Sequence, residues 1–106
     1  MELKQVLEYI ENPDKVLAIQ DMEQMIDWTT HWVHTIELEL ADDDFLVDTI
    51  HADLIKKHDK VNKAEAALKL TDEYRARAKK EILLKSIKSY RANIRKKRDR
   101  LINQRF

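Results

Sequence analysis

The chain has 106 residues, 38% of them charged and 43% hydrophobic, with twenty basic side chains against twenty acidic ones. It contains no glycine, no cysteine and a single proline, Pro13. Without glycine there is no phosphate-cradling loop, dinucleotide fingerprint or nucleophile elbow, and without cysteine there is no disulfide, thiol catalysis or cysteine-ligated zinc.

A chain of this length holds one modest hydrophobic core, so residues 1–106 are read as a single helical domain. No apolar run approaches the roughly 20 residues needed to span a bilayer, and Met1 leads into an acidic segment unlike a signal peptide. The expectation is a soluble, cytoplasmic protein with no membrane partner. The zero net charge conceals a strong asymmetry. Residues 1–55 carry two basic and fourteen acidic side chains, a balance of −12, and residues 56–106 carry eighteen basic and six acidic, a balance of +12. Such a split points either to an acidic half that neutralises the basic half, within one chain or between two, or to a basic surface that meets a polyanion.

The first predicted element is short. Leu3, Val6, Leu7 and Ile10 fall at i, i+3, i+4 and i+7, which is helical spacing, and Asn12, Pro13 and Asp14 break it. A second helix is predicted from Pro13 to about Leu40. Its apolar positions are Val16, Leu17, Met22, Met25, Ile26, Trp32, Val33 and Ile36, with Ile19 and Trp28 widening the stripe. Residues 36–40 alternate with period two, but no partner strand is signalled elsewhere, so helix is preferred.

Asp42, Asp43 and Asp44 precede Phe45, Leu46 and Val47 and read as a helix N-terminus, where carboxylates cap free N–H groups and complement the helix dipole. Beyond them, Val47, Ile50, Leu54, Val61, Ala64 and Leu68 keep helical spacing. Thr71, followed by Asp72 and Glu73, has the pattern of a fresh N-cap. The last stripe is Leu83, Ile87, Tyr90, Ile94 and Leu101. It runs one residue out of step with the preceding one. Residues 43–104 therefore read either as one rod about 90 Å long or as a hairpin or sharp kink near Lys69 to Thr71; the second is favoured.

Asp27, His31 and His34 share a helical flank, and Asp48 and His51 repeat the acid-x-x-His spacing. Bundle metal sites use such pairs together with several inward Glu residues. Here the acids are Asp, so structural or surface histidines are preferred and neither metal nor cofactor is expected. The two serines, Ser86 and Ser89, fall inside a helix with no neighbouring His, and enzymatic activity is not expected. Trp28 and Trp32 stand one turn apart, with Met22 and Met25 on the preceding turn. They read as core or as a partner-binding hot spot.

The basic terminal helix carries the main functional expectation. Lys85, Lys88, Arg91, Arg95 and Arg98 rise at i+3 and i+4 steps, Lys96, Lys97 and Arg100 fill in around them, and Arg105 follows. A helix positive nearly all round cannot spend every charge on one acidic neighbour, and such a stripe can follow a phosphate backbone. Tyr74, Tyr90 and Phe106 are the candidate stacking aromatics. Lys85, Lys88, Arg91, Arg95, Lys96, Arg98 and Arg100 are thus the candidate nucleic-acid-binding set. The alternative is an adaptor or inhibitor that presents Trp28, Trp32, Asp42, Asp43 and Asp44 to a basic protein.

The segments Lys63-Ala64-Glu65-Ala66-Ala67-Leu68, Thr71-Asp72-Glu73-Tyr74-Arg75-Ala76-Arg77-Ala78-Lys79 and Tyr90-Arg91-Ala92 with Arg98-Asp99-Arg100-Leu101 resemble small helical-hairpin accessory proteins of bacteriophages. The resemblance covers about 40 residues near the C-terminus. It implies a hairpin fold, a recombination or replication accessory role and a host-cell location. No functional residue is carried over by it. The combined expectation is an all-α bundle with a long basic C-terminal helix or antiparallel hairpin, self-associating as a dimer because its apolar stripes exceed what one small core requires.

Overall fold

Glycine-free sequence rich in Ala, Leu, Lys, Glu and Arg favours helix almost everywhere, and the computed structural model shows how far this goes. It describes residues 2–12 and 18–105, the side chain of Arg105 excepted; Pro13, Val16 and Leu17 of the second expected helix, and Phe106, lie outside them. Four helices follow in order: α1 (Leu3–Glu11), α2 (Ile19–Lys57), α3 (Val61–Lys69) and α4 (Asp72–Arg105). Among the described residues 92% are helical and none is in a strand, so the fold is all-α and residues 36–40 belong to a helix.

Two expectations are corrected. Asp42, Asp43 and Asp44 do not start a helix; they sit near the middle of the 39-residue α2. Ending a helix and nucleating another costs more than carrying three residues of moderate helix propensity through it. Two of the three acids also have cationic partners of their own in this conformation, described below. The second correction is an unforeseen interruption at residues 58–60, which separates α2 from α3.

The break at Leu70 and Thr71 lies where the two apolar stripes fall out of register, which rules out a single rod over residues 43–104. With no glycine to take a left-handed C-cap, Leu70 stays right-handed at φ −87° and ψ −10°. Its N–H donates to the Ala67 carbonyl at 3.2 Å and that of Thr71 to Leu68 at 3.0 Å, tightening the last turn of α3. The Thr71 hydroxyl then donates to the Leu68 carbonyl at 2.6 Å and accepts the Tyr74 N–H at 3.3 Å. One side chain closes α3 and caps α4, with Asp72 and Glu73 in the first turn beside it. At the other end of the chain, the Gln5 side-chain oxygen accepts the Glu2 N–H at 3.0 Å, and Asn12 donates to the Glu8 carbonyl at 2.9 Å. These bonds hold both ends of α1, a helix too short to stand alone.

The chain forms two compact units, Met1–Thr35 with Leu84–Phe106, and Ile36–Leu83. Their boundaries do not follow the charge boundary at residue 55, so each unit contains both acidic and basic sequence. In the first unit, Met22, Met25 and Ile26 of α2 pack with Tyr90 and Ile94 of α4, and Tyr9, Ile10 and Trp28 close around them. Val6 and Ile87 are fully buried there as well. Thr29, the buried polar residue, satisfies its hydroxyl within α2 by donating to the Met25 carbonyl at 2.8 Å. In the second unit the buried side chains are Ile36, Val47, Ala64 and Leu68.

Thr71→Ala should cost about 1 kcal/mol of stability and Thr71→Ser should retain most of it. Urea unfolding followed by circular dichroism measures the difference.

Candidate nucleic-acid interface

The acids and bases meet first in the second unit. Arg77 pairs with Asp44 and, one turn along its own helix, with Glu81 at 3.2 Å. Lys80 donates to Asp43 at 2.8 Å and lies 3.7 Å from Glu39. Rising numbers on α4 meet falling numbers on α2, so the helices run antiparallel in this unit. The Asp43 hydrogen bond raises the Lys80 ammonium above its ordinary pKa, outweighing a smaller opposing effect of desolvation. All six partners remain partly exposed, so each bridge is worth at most about 1 kcal/mol. Their effect is to place neutralised charge, with Asp43 and Asp44 engaged inside the chain and Asp42 left exposed.

In the first unit the bases stand differently. Lys85, Arg95, Lys96 and Arg100 are exposed, and no carboxylate among the described residues pairs with them. Lys88 is exposed too. Arg91 is half-buried and donates to the Thr30 hydroxyl at 3.3 Å, while Arg98 bridges to its own neighbour Asp99 at 3.3 Å. The expected single stripe is therefore divided. Two shallow cavities, of about 360 and 170 Å³, lie along α4 and share Tyr90 and Asn93 in their linings. Lys85, Ser86 and Ser89 line the first with Ile10 of α1; Ile94, Lys96, Lys97 and Arg100 line the second.

Residues 85, 89, 93, 96 and 100 step by four, four, three and four, which is one helical face. It sets the neutral hydrogen-bonding side chains Ser89 and Asn93 between Lys85 on one side and Lys96 and Arg100 on the other. Sequence reading of this surface followed the charges alone: it weighed Ser89 only as a catalytic serine and did not name Asn93, although their spacing from Lys85 is legible. Arg91, Arg95 and Arg98 belong to the opposite flank of the helix. Three cations with interposed amide and hydroxyl groups can hold successive phosphate oxygens.

The aromatic candidates fare differently from expectation. Tyr90 is a core residue, 8% exposed, so its ring is covered and does not serve as a stacking platform; Tyr74 is half-buried. Trp28 packs on the core of the first unit, and Met22 and Met25 are buried in that core and do not extend an exposed patch. Trp32 is half-buried, its ring edge-on to His31 with centroids 5.5 Å apart at 73°. No group of three or more His, Asp or Glu side chains among the described residues is arranged to hold a metal ion, and no described helix is long and apolar enough to cross a membrane.

Fold and surface together define an all-α protein with one cationic, hydrogen-bonding helix face. The chain matches no protein-family model, no curated protein and no solved structure.

Burial, and secondarily the charge of Tyr9, pushes the Tyr90 phenol up to about 12. Because the folded value lies above the ordinary 10, this group's contribution to stability is intact below pH 10 and is lost as pH rises from 10 toward 12. In a spectrophotometric titration Tyr90 should ionise near 12, and Tyr90→Phe should weaken the fall in melting temperature between those two pH values.

Proposed function

We propose that this is a non-enzymatic binding protein whose C-terminal basic helix engages the phosphate backbone of a nucleic acid, free or within a nucleoprotein complex. The observation that carries the reading is the contrast along α4. Arg77 and Lys80 are matched by acids from α2, whereas Lys85, Arg95, Lys96 and Arg100 have no carboxylate partner among the described residues. Cations left exposed in this way are the electrostatic footprint of a polyanion site.

A covered Tyr90 and a surface of Lys, Arg, Ser and Asn favour contact with phosphates over base stacking or base-edge readout. Binding would be salt-sensitive and weakly selective for sequence. The engagement of Asp43 and Asp44 by Lys80 and Arg77, and of Trp28 by the core, counts against the adaptor alternative. An accessory role in nucleic-acid transactions, of the kind the bacteriophage resemblance implies, and self-association as a dimer belong to the same proposal; two copies double the available cationic face.

Fluorescence anisotropy with labelled single- and double-stranded oligonucleotides tests the reading. Three to five phosphate contacts predict a log–log salt slope of roughly −2 to −4.5. Lys85→Glu, Lys96→Glu and Arg100→Glu together should abolish binding with helix content unchanged, and Arg77→Ala should leave it nearly intact. Absence of binding at low salt would overturn the reading.

A further inference from the structure

Within the second unit, α2 is apolar on two sides. Ile36 and Val47 are buried, with Leu40, Ile50 and Leu54 half-buried beside them. On the other side Leu38, Ala41, Phe45, Asp48, Ala52 and Ile55 recur at three–four spacing, and all six are exposed. Leu38 is 58% exposed, Phe45 77% and Ile55 45%. This is a heptad seam about 26 Å long with Leu38, Phe45 and Ala52 at a positions and Ala41, Asp48 and Ile55 at d positions. Nothing among the described residues covers it.

We propose that this seam pairs with the same seam of a second copy, antiparallel about a twofold axis. The charges flanking it select both partner and direction. Asp42 and Lys56 occupy e positions at opposite ends of the seam, and both are exposed with no ion pair among the described residues. In the antiparallel arrangement Asp42 of each copy meets Lys56 of the other, with Thr49 facing itself between them. Leu38 then layers on Ile55, Ala41 on Ala52, and Phe45 beside Asp48. A parallel pair would instead set the acids Glu37 and Asp42 against each other, so like charges oppose it. A twofold interface is self-complementary by construction, which this opposite-ended charge pattern satisfies. Asp48 beside Phe45 is the polar element of the seam; it limits affinity and restrains wider aggregation. The inference deepens the dimer part of the proposed function and rests on it, but it stands on the second unit alone and does not depend on the polyanion reading.

Sedimentation equilibrium of the full chain should show twice the 12.7 kDa monomer mass at high concentration, with a dissociation constant of roughly 10–100 µM. Phe45→Glu should weaken association at least about tenfold without loss of helix content, and Asp48→Leu should tighten it. Asp42→Lys or Lys56→Glu alone should weaken it, and the double variant should restore it. The chain has no native cysteine, so register can be read by cross-linking. A chain carrying both Ala41→Cys and Ala52→Cys should form disulfide-linked dimers, and either substitution alone should not. A protein that stays monomeric to about 1 mM overturns the proposal, as does a dimer indifferent to Phe45→Glu. Cross-linking by either single cysteine overturns the antiparallel direction.

Discussion

Everything in this fold follows from how a chain without glycine can turn. The described residues contain no positive φ, so the left-handed cap that ends many helices is not used. Without that cap, a helix can end where right-handed geometry tightens into short i→i−3 bonds, or where a side chain takes over the orphaned backbone groups. Two of the helices, α2 and α4, run uninterrupted for 39 and 34 residues. At Thr71 both devices operate together: two tightened backbone bonds close α3, and one hydroxyl serves the end of one helix and the start of the next. The antiparallel approach of α2 and α4 in the second unit requires the chain to reverse between them, and this is where α3 and its flanking breaks lie.

That approach also sorts the charges. Neutral composition at the level of the chain becomes, in the folded protein, one stretch of α4 with acids of α2 against it and another in which Lys85, Lys96 and Arg100 have no carboxylate partner among the described residues. Arg77 and Lys80 belong to the first. The surface bridges contribute little stability individually. What they decide is that Arg77 and Lys80 are the neutralised ones. The apolar residues are sorted in a comparable way. The first unit places its large side chains, Met25, Ile87 and Val6 among them, in a closed core, whereas the second buries fewer and leaves Leu38, Phe45 and Ile55 on a continuous outer seam.

Helical periodicity made much of this legible in advance. The short first helix, the stripe of Met22, Met25, Ile26 and Val33, the core positions Ile87, Tyr90 and Ile94, and the capping role of Thr71 all follow from spacing and side-chain chemistry over a few residues. The aspartates at 42–44 show where that reading stops. Locally they have the chemistry of an N-cap, and nothing nearby says otherwise; their cationic partners lie 33 and 37 residues away. The interruption at residues 58–60 was invisible for a related reason: no glycine or proline marks it, and no side-chain cap bond secures the N-cap residue Lys60.

By itself, then, the amino-acid sequence determined that the chain is all-helical, where most of its core residues fall, and that its C-terminal third is strongly basic, because propensity, period and charge are local quantities. Tertiary structure decided which bases are neutralised, that Tyr90 is covered and no stacking platform, that Ser89 and Asn93 share a face with Lys85, Lys96 and Arg100, and that one side of α2 stays uncovered. Those outcomes depend on contacts between residues far apart in the chain, and a periodic pattern does not specify which of two apolar faces a neighbouring helix will cover.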